Sequence, residues 1–176
     1  MNKSMTVIMR RATLADLNEL LHIAKSTFVA TYQKDNKADN FNSYLAEAFT
    51  IDKIKSELLN PDSEFYFAEW EGTAVGYLKV NKGEGQTENI GDKALEIERI
   101  YVISRYQGAG IGYQLVKEAL RIAADYNLSL LWLGVWEKNK KAIRFYERVG
   151  FKAFDTHHFK VGDDLQTDIL MKIELG

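Results

Sequence analysis

The spacing of apolar residues changes several times along this chain, and each change marks an element. Val7, Ile8 and Met9 sit in a short strand-like stretch over 5–10. Thr13 follows as a helix N-cap, with Asp16 three residues on in capping-box position. Leu14, Leu17, Leu21, Ala24 and Phe28 then recur at helical spacing and predict an amphipathic helix. Residues 35–42 are polar and read as a loop. Tyr44, Leu45, Ala48 and Phe49 predict a second short helix. Ile51, Ile54, Leu58 and Leu59 predict a third, closed by Asn60-Pro61.

The period then changes to that of strands. Residues 64–70 and 73–81 are aromatic and β-branched, and Glu71-Gly72 between them suits a two-residue hairpin turn. Residues 82–93 hold three glycines and read as a loop. Ala94–Val102 is a strand and 111–126 an amphipathic helix with Ile111, Leu115, Ala119, Ile122 and Ala123 on one face. Residues 128–135 are almost wholly apolar, as in a central strand buried on both faces. Lys140–Val149 is a helix ended by Gly150. Residues 151–159 and 166–175 close the chain as a hairpin around Val161-Gly162-Asp163-Asp164. This order is α+β with one parallel βαβ unit over 94–135.

The chain has 176 residues, enough for one domain spanning 1–176 and too few for two of ordinary size. A formal charge of −2 argues against a nucleic-acid coat, which needs a basic excess. The absence of cysteine excludes disulfides and thiolate metal sites, so no metal is expected and a cytoplasmic setting fits. No apolar run reaches membrane-spanning length, and Met1 to Met5 do not read as a signal peptide.

Gly108, Gly110 and Gly112 lie between a strand and a helix. Without Cβ atoms their amides can approach an anion closely, and the helix N-terminus adds positive potential. A phosphate or pyrophosphate suits such a turn. It is neither of two common phosphate motifs. Tyr113 stands where the dinucleotide fingerprint needs glycine, and Gly112-Tyr113-Gln114 lacks the Lys-Ser/Thr of a P-loop.

The stretch Arg105-Tyr106-Gln107-Gly108-Ala109-Gly110-Ile111-Gly112 resembles motif A of the GNAT superfamily of N-acetyltransferases. Asn139 to Phe151, with Ala142, Phe145-Tyr146 and Gly150-Phe151, resembles its motif B. Further stretches at 95–102, 132–137, 158–162 and 166–168 resemble the PaiA-type spermidine and spermine acetyltransferases. The resemblance implies a mixed, mostly antiparallel seven-stranded sheet flanked by helices, splayed between the strands at 94–102 and 128–135. It implies acetyl-CoA as co-substrate, with the pantetheine in the splay along Ile100, Tyr101 and Val102. Arg105 and the main-chain N–H groups of Gln107, Gly108, Ala109, Gly110, Ile111, Gly112 and Tyr113 would hold the pyrophosphate. Asn139 and Ala142 would adjoin the pantetheine, and Tyr146 would be the general acid to the departing thiolate.

An ammonium with a pKa of about 10.4 must lose a proton before it can attack a thioester. The resemblance implies Glu98 as the base, working through water, since several relatives carry a glutamate on this strand, with Glu96 of the same strand parity as the fallback. His157 and His158 should point to opposite sheet faces. Asp163, Asp164 and Asp168 could attract a polycation, and Trp136 could wall the acceptor pocket. The expected acceptor is a small primary amine, foremost a polyamine, with no nucleic-acid or membrane partner and with room for a homodimer. The alternatives are acetylation of a protein N-terminus or lysine, and a non-catalytic acetyl-CoA-binding module.

Overall fold

Glu71 and Gly72 both take positive φ, 49° and 78°. That conformation matches the twist of a two-stranded ribbon, so the expected turn joins β2 (Ser63–Trp70) to β3 (Thr73–Lys82). The computed structural model describes residues 4–176; the expectation for Met1 to Lys3 lies outside them. One sheet of seven strands runs in the order β1-β2-β3-β4-β5-β7-β6. Its members are β1 (Ile8–Arg11), β4 (Ala94–Val102), β5 (Leu130–Trp136), β6 (Lys152–Val161) and β7 (Asp164–Glu174), besides β2 and β3. Among the described residues, only β4 and β5 pair in parallel. The fold is α+β, as the element order implies.

Helix α4 (Ile111–Asp125) and helix α5 (Lys140–Val149) cover one face. Leu115, Val116, Ala119 and Ile122 of α4 pack on Val80, Leu95, Ile97, Leu131 and Leu133. Each such large side chain contributes about 1.5–3 kcal/mol by leaving water. Helices α1 (Leu17–Tyr32) and α3 (Ile51–Leu59) cover the other face, where Leu20, Ile23 and Ile54 meet Phe65, Phe67 and Tyr77.

Several boundaries differ from the sequence reading. Helix α2 (Ala38–Ala48) begins inside the expected 35–42 loop. Its first turn is polar except for Phe41, which is buried and stacks on Phe28 at 5.8 Å, so one aromatic anchors what composition hides. β1 starts at Ile8 because Met5 is bound elsewhere, its N–H donating to the Ala109 carbonyl at 3.1 Å. β5 starts at Leu130 because Asn127 takes φ 56° and the Leu128 N–H folds back onto Ala123.

Two irregularities in β4 shape the molecule. Lys79 pairs with Arg99 and Val80 with Ile97, so Glu98 is an extra residue in a β-bulge. The bulge reverses the side-chain parity of the strand. Leu95 and Ile97 face α4 before it, and Ile100 and Val102 face α4 after it. Glu96, Glu98, Arg99 and Tyr101 are thereby gathered on the opposite face. In addition, β4 and β5 pair only from Ala94–Leu130 to Ile97–Leu133. Beyond that point the strands part, which is the expected splay.

Candidate active site

The splay leaves one edge of β4 without a partner from Glu98 onward. The Ile103 N–H donates to Val75, so by strand parity Tyr101 also points its backbone groups to β3. The backbone groups of Ile100 and Val102 point the other way, into the gap. An extended amide-bearing chain fits there as a substitute strand.

At the end of β4 the chain enters the glycine turn. Gly108 and Gly110 have φ of 82° and 83°, left-handed values that favour glycine, and Gly110 is the N-cap of α4. The N–H groups of Gly108, Ala109 and Gly110 meet no backbone acceptor among the described residues. Those of Ile111, Gly112 and Tyr113 are the orphan donors of a helix first turn. Gly112 is also tight, since a Cβ there would stand 3.4 Å from the Phe145 ring. Gln107 differs from its expected role. Its N–H is already given to Ser104 at 3.2 Å, and its side chain links the Val102 carbonyl (3.1 Å) to Lys141 Nζ (3.1 Å). Gln107 is thus a strut between β4, the turn and α5, and a cradle of free N–H groups runs from Gly108 to Tyr113. Arg105 lies at the rim of a second cavity of about 280 Å³ that α1 forms with the end of β4.

Asn139 caps α5, its Oδ1 accepting from Ala142 N at 3.3 Å. Two turns on, Tyr146 lies between the rings of Phe145 and Phe151, 5.4 and 5.6 Å away. Only 8% of it is exposed. Its hydroxyl has no hydrogen-bond partner among the described residues. Burial, and then the nearby Tyr32, pushes its pKa well above the usual phenol value, so it stays protonated throughout the physiological range. Tyr32 and Tyr101 share a hydroxyl hydrogen bond at 3.2 Å, and Tyr32 meets Trp136 edge-on at 5.6 Å.

Behind this group of rings lies a cavity of about 300 Å³. Phe28 and Tyr32 of α1, Tyr44 of α2, Tyr77 of β3, and Trp132 and Trp136 of β5 wall it with aromatic surface. Glu88, Glu96, Glu98 and Asp168 contribute carboxylates, and Arg99 and His157 lie among them.

The two carboxylates expected as bases are both engaged. Glu96 is 3% exposed and accepts from Thr87 N (2.8 Å), Thr87 Oγ1 and Asn81 Nδ2 (3.0 Å). Burial raises its pKa, with those donors opposing. Glu98 accepts from Asn81 Nδ2 at 2.9 Å, is paired with Lys79, and lies 3.8 Å from Arg99. Burial alone would raise its pKa, but Arg99 and Lys79 outweigh it and hold the carboxyl below the ordinary range. Glu98 is therefore ionised at neutral pH and a weak proton acceptor. It also keeps buried Lys79 in place. Glu98→Gln should cost about 3 kcal/mol, near the low end for breaking a buried pair, because Glu57 still reaches both cations. A depressed pKa gives stability that is present above the unfolded value and lost as pH falls through the folded one. The deficit in denaturation midpoint should therefore be full at pH 7 and shrink below about pH 4.3. Equal midpoints at pH 7 would show that the pair contributes nothing.

Other candidates separate cleanly. His157 turns into the cavity and faces Glu88, while His158 points away and meets Thr167 at 3.0 Å. Asp163 and Asp164 stand at the tip of the β6–β7 hairpin outside the cavity, with Asp163 bonded to Asn40 at 2.5 Å. Asp168 is inside. Composition alone could not distinguish Phe28, Tyr32 and Tyr44 from ordinary core residues. Their helical spacing was the one available signal.

A family model described as the acetyltransferase (GNAT) family matches residues 17–151. The chain is 40% identical to an uncharacterized N-acetyltransferase of the pepI 3′ region of Lactobacillus delbrueckii subsp. lactis, over 89% of this chain and 91% of that one. It is 26% identical to the spermidine N(1)-acetyltransferase of Thermoplasma acidophilum, over 86% and 92% of the two chains. Its structure is similar to that of the PaiA N-acetyltransferase of Thermoplasma acidophilum in complex with coenzyme A. The TM-score is 0.78 and the identity 23%, over 97% of this chain and 99% of that one. At that identity the likeness establishes the fold.

Proposed function

This chain belongs to the acetyltransferase (GNAT) family, and from that premise we propose that it acetylates a small cationic amine, foremost a polyamine such as spermidine or spermine. It is an acetyl-CoA-dependent N-acetyltransferase. The observation that carries the choice of acceptor is the cavity behind the β4–β5 gap, enclosed by aromatic rings and carboxylates. Aromatic faces and carboxylates both favour ammonium groups. The spermidine acetyltransferase among the relatives supports the same reading.

Acetyl-CoA supplies a thioester carbonyl to attack and a thiolate to expel. The backbone groups of Ile100 and Val102 would hold its pantetheine, and the amides from Gly108 to Tyr113 would hold its pyrophosphate, with Arg105 at the edge. Tyr146 would donate a proton to the leaving sulfur. Glu98, ionised and paired with Lys79 and Arg99, would orient a water that passes the proton shed by the amine on to solvent. The whole of 1–176 would act as one catalytic domain.

Thiol release from acetyl-CoA across a panel of amines tests this. Spermidine should outperform amino acids and peptides. Its KM should rise with ionic strength while kcat stays nearly flat, because attraction between charges weakens as the Debye length falls from about 8 Å at 0.15 M. A salt-independent KM, or preference for a peptide N-terminus, would instead indicate a protein acceptor.

A further inference from the structure

The carboxylates around the cavity are not equivalent. Glu96 is held by Thr87 and Asn81 and Glu98 by Lys79 and Asn81, while Glu88 faces His157 with its buried Oε1 forming no hydrogen bond. Asp168 accepts no hydrogen bond from any described residue, although it lies on the cavity wall. It stands on β7 directly across from Trp136 of β5. Gly134, on the same face of β5, makes room for it: a Cβ there would stand 3.3 Å from Asp168 Oδ2. Tyr32 of α1 and Tyr44 of α2 lie close enough to feel its charge, and His157 of β6 is its register partner. Glu98 and Arg99 of β4 line the same cavity, and Glu88 stands behind His157. The indole N–H of Trp136, which is 5% exposed, is buried without an acceptor on the same wall.

An unpaired carboxylate in a cavity of aromatic rings costs stability, since burial disfavours its charge. Within the fold His157 offsets part of that cost, and a bound cation would offset the rest. We infer that Asp168 is the carboxylate that pairs with an ammonium group of the acceptor amine. This rests on the reading of the cavity as the acceptor site, and it assigns the recognition of charge to one residue. Strain of this kind is retained where a ligand relieves it.

Asp168→Asn preserves shape and removes charge. With spermidine as acceptor, KM should rise about 10–100-fold, the worth of a hydrogen bond to a charged group, while KM for acetyl-CoA is unchanged. Burial, with His157 opposing, lifts the Asp168 pKa to about 6. In the natural protein KM for spermidine should therefore climb as pH falls from 7 to 5, and this climb should be absent in Asp168→Asn. A raised carboxyl pKa means that ionisation opposes folding, so the natural protein loses stability as pH rises from about 4 towards 6. Asp168→Asn should accordingly melt higher than the natural protein at pH 8 and alike at pH 4. An unchanged KM with an intact pH dependence would overturn the inference. So would a variant that melts lower or fails to fold, because Asp168 would then be structural. Should the natural protein acetylate no cationic amine, the polyamine reading fails, and tryptophan fluorescence titrated with propylammonium decides the inference separately. Binding that Asp168→Asn abolishes supports it, and no binding to the natural protein overturns it.

Discussion

Gly110→Asp should fold and lose acetyl-CoA, with an affinity at least about 100-fold weaker in isothermal titration. The reasons for both halves lie in the same geometry. Gly110 is the N-cap of α4 at φ 83°, and a Cβ there would meet only the Ser4 hydroxyl, at an ordinary 3.6 Å. Aspartate tolerates the left-handed conformation better than most residues, and its carboxylate is a favoured cap that complements the helix dipole. The free protein should therefore still fold, at a cost of about 1–2 kcal/mol for the left-handed backbone. The features that make aspartate a good cap make it a poor host for pyrophosphate. Its side chain would take the first-turn N–H groups for itself and put a negative charge where another must sit. Two unit charges about 5 Å apart repel by roughly 3 kcal/mol at an effective dielectric of about 20, which is already more than 100-fold. Gly110→Ala separates charge from backbone strain and should weaken binding only several-fold. A folded Gly110→Asp protein with normal affinity would mean that the pyrophosphate lies elsewhere.

That cradle was legible in the sequence because its physics is local. Gly108 and Gly110, between a strand and a helix, favour positive φ and free amides whatever the rest of the chain does. The Asn139 cap, the Lys140–Val149 helix and the Glu71-Gly72 turn were legible for the same reason. The acceptor side was less legible, since it depends on distant parts of the chain. Alternation along β4 assumes an unbroken ladder, and the bulge at Glu98 breaks it. The bulge turns Arg99 and Tyr101 into the cavity and sends Ile100 and Val102 to the core. No pattern within the strand announces this, because a bulge is defined by pairing with Lys79 and Val80. In the same way, Phe28, Tyr32 and Tyr44 carry the signature of core residues. They become cavity walls only because α2 packs beside α1, and α2 begins in a stretch whose polarity reads as loop. The ionisation of Glu98 could not be read from its own strand, because Lys79 comes from the neighbouring one. Gln107 was misread for a similar reason: its amide is consumed by a short turn that starts at Ser104.

Tyr146→Phe should bind acetyl-CoA normally, melt close to the natural temperature, and turn over about 10²–10⁴-fold more slowly. The unchanged stability follows from packing. The ring keeps its contacts with Phe145 and Phe151, and the lost hydroxyl makes no hydrogen bond within the described protein. A hydroxyl that bonds to no protein group is lost at little cost, so stability should change little. The slow turnover follows from where that hydroxyl is free to act. Tyr146 stands on α5 two turns beyond Asn139, near Tyr32 and Tyr101, and the thioester would lie beside it. Burial keeps the phenol protonated and so always ready to donate. It also makes the phenol a weaker acid than a free thiol, with its pKa near 8.5. As general acid, Tyr146 would therefore share its proton with the sulfur as the C–S bond breaks, where charge develops in the transition state. The pH profile checks this independently. A raised phenol pKa should leave kcat free of any decline assignable to Tyr146 below about pH 10, its ordinary value. A decline near neutral pH that vanished in Tyr146→Phe would contradict the assignment, and so would natural turnover in that variant.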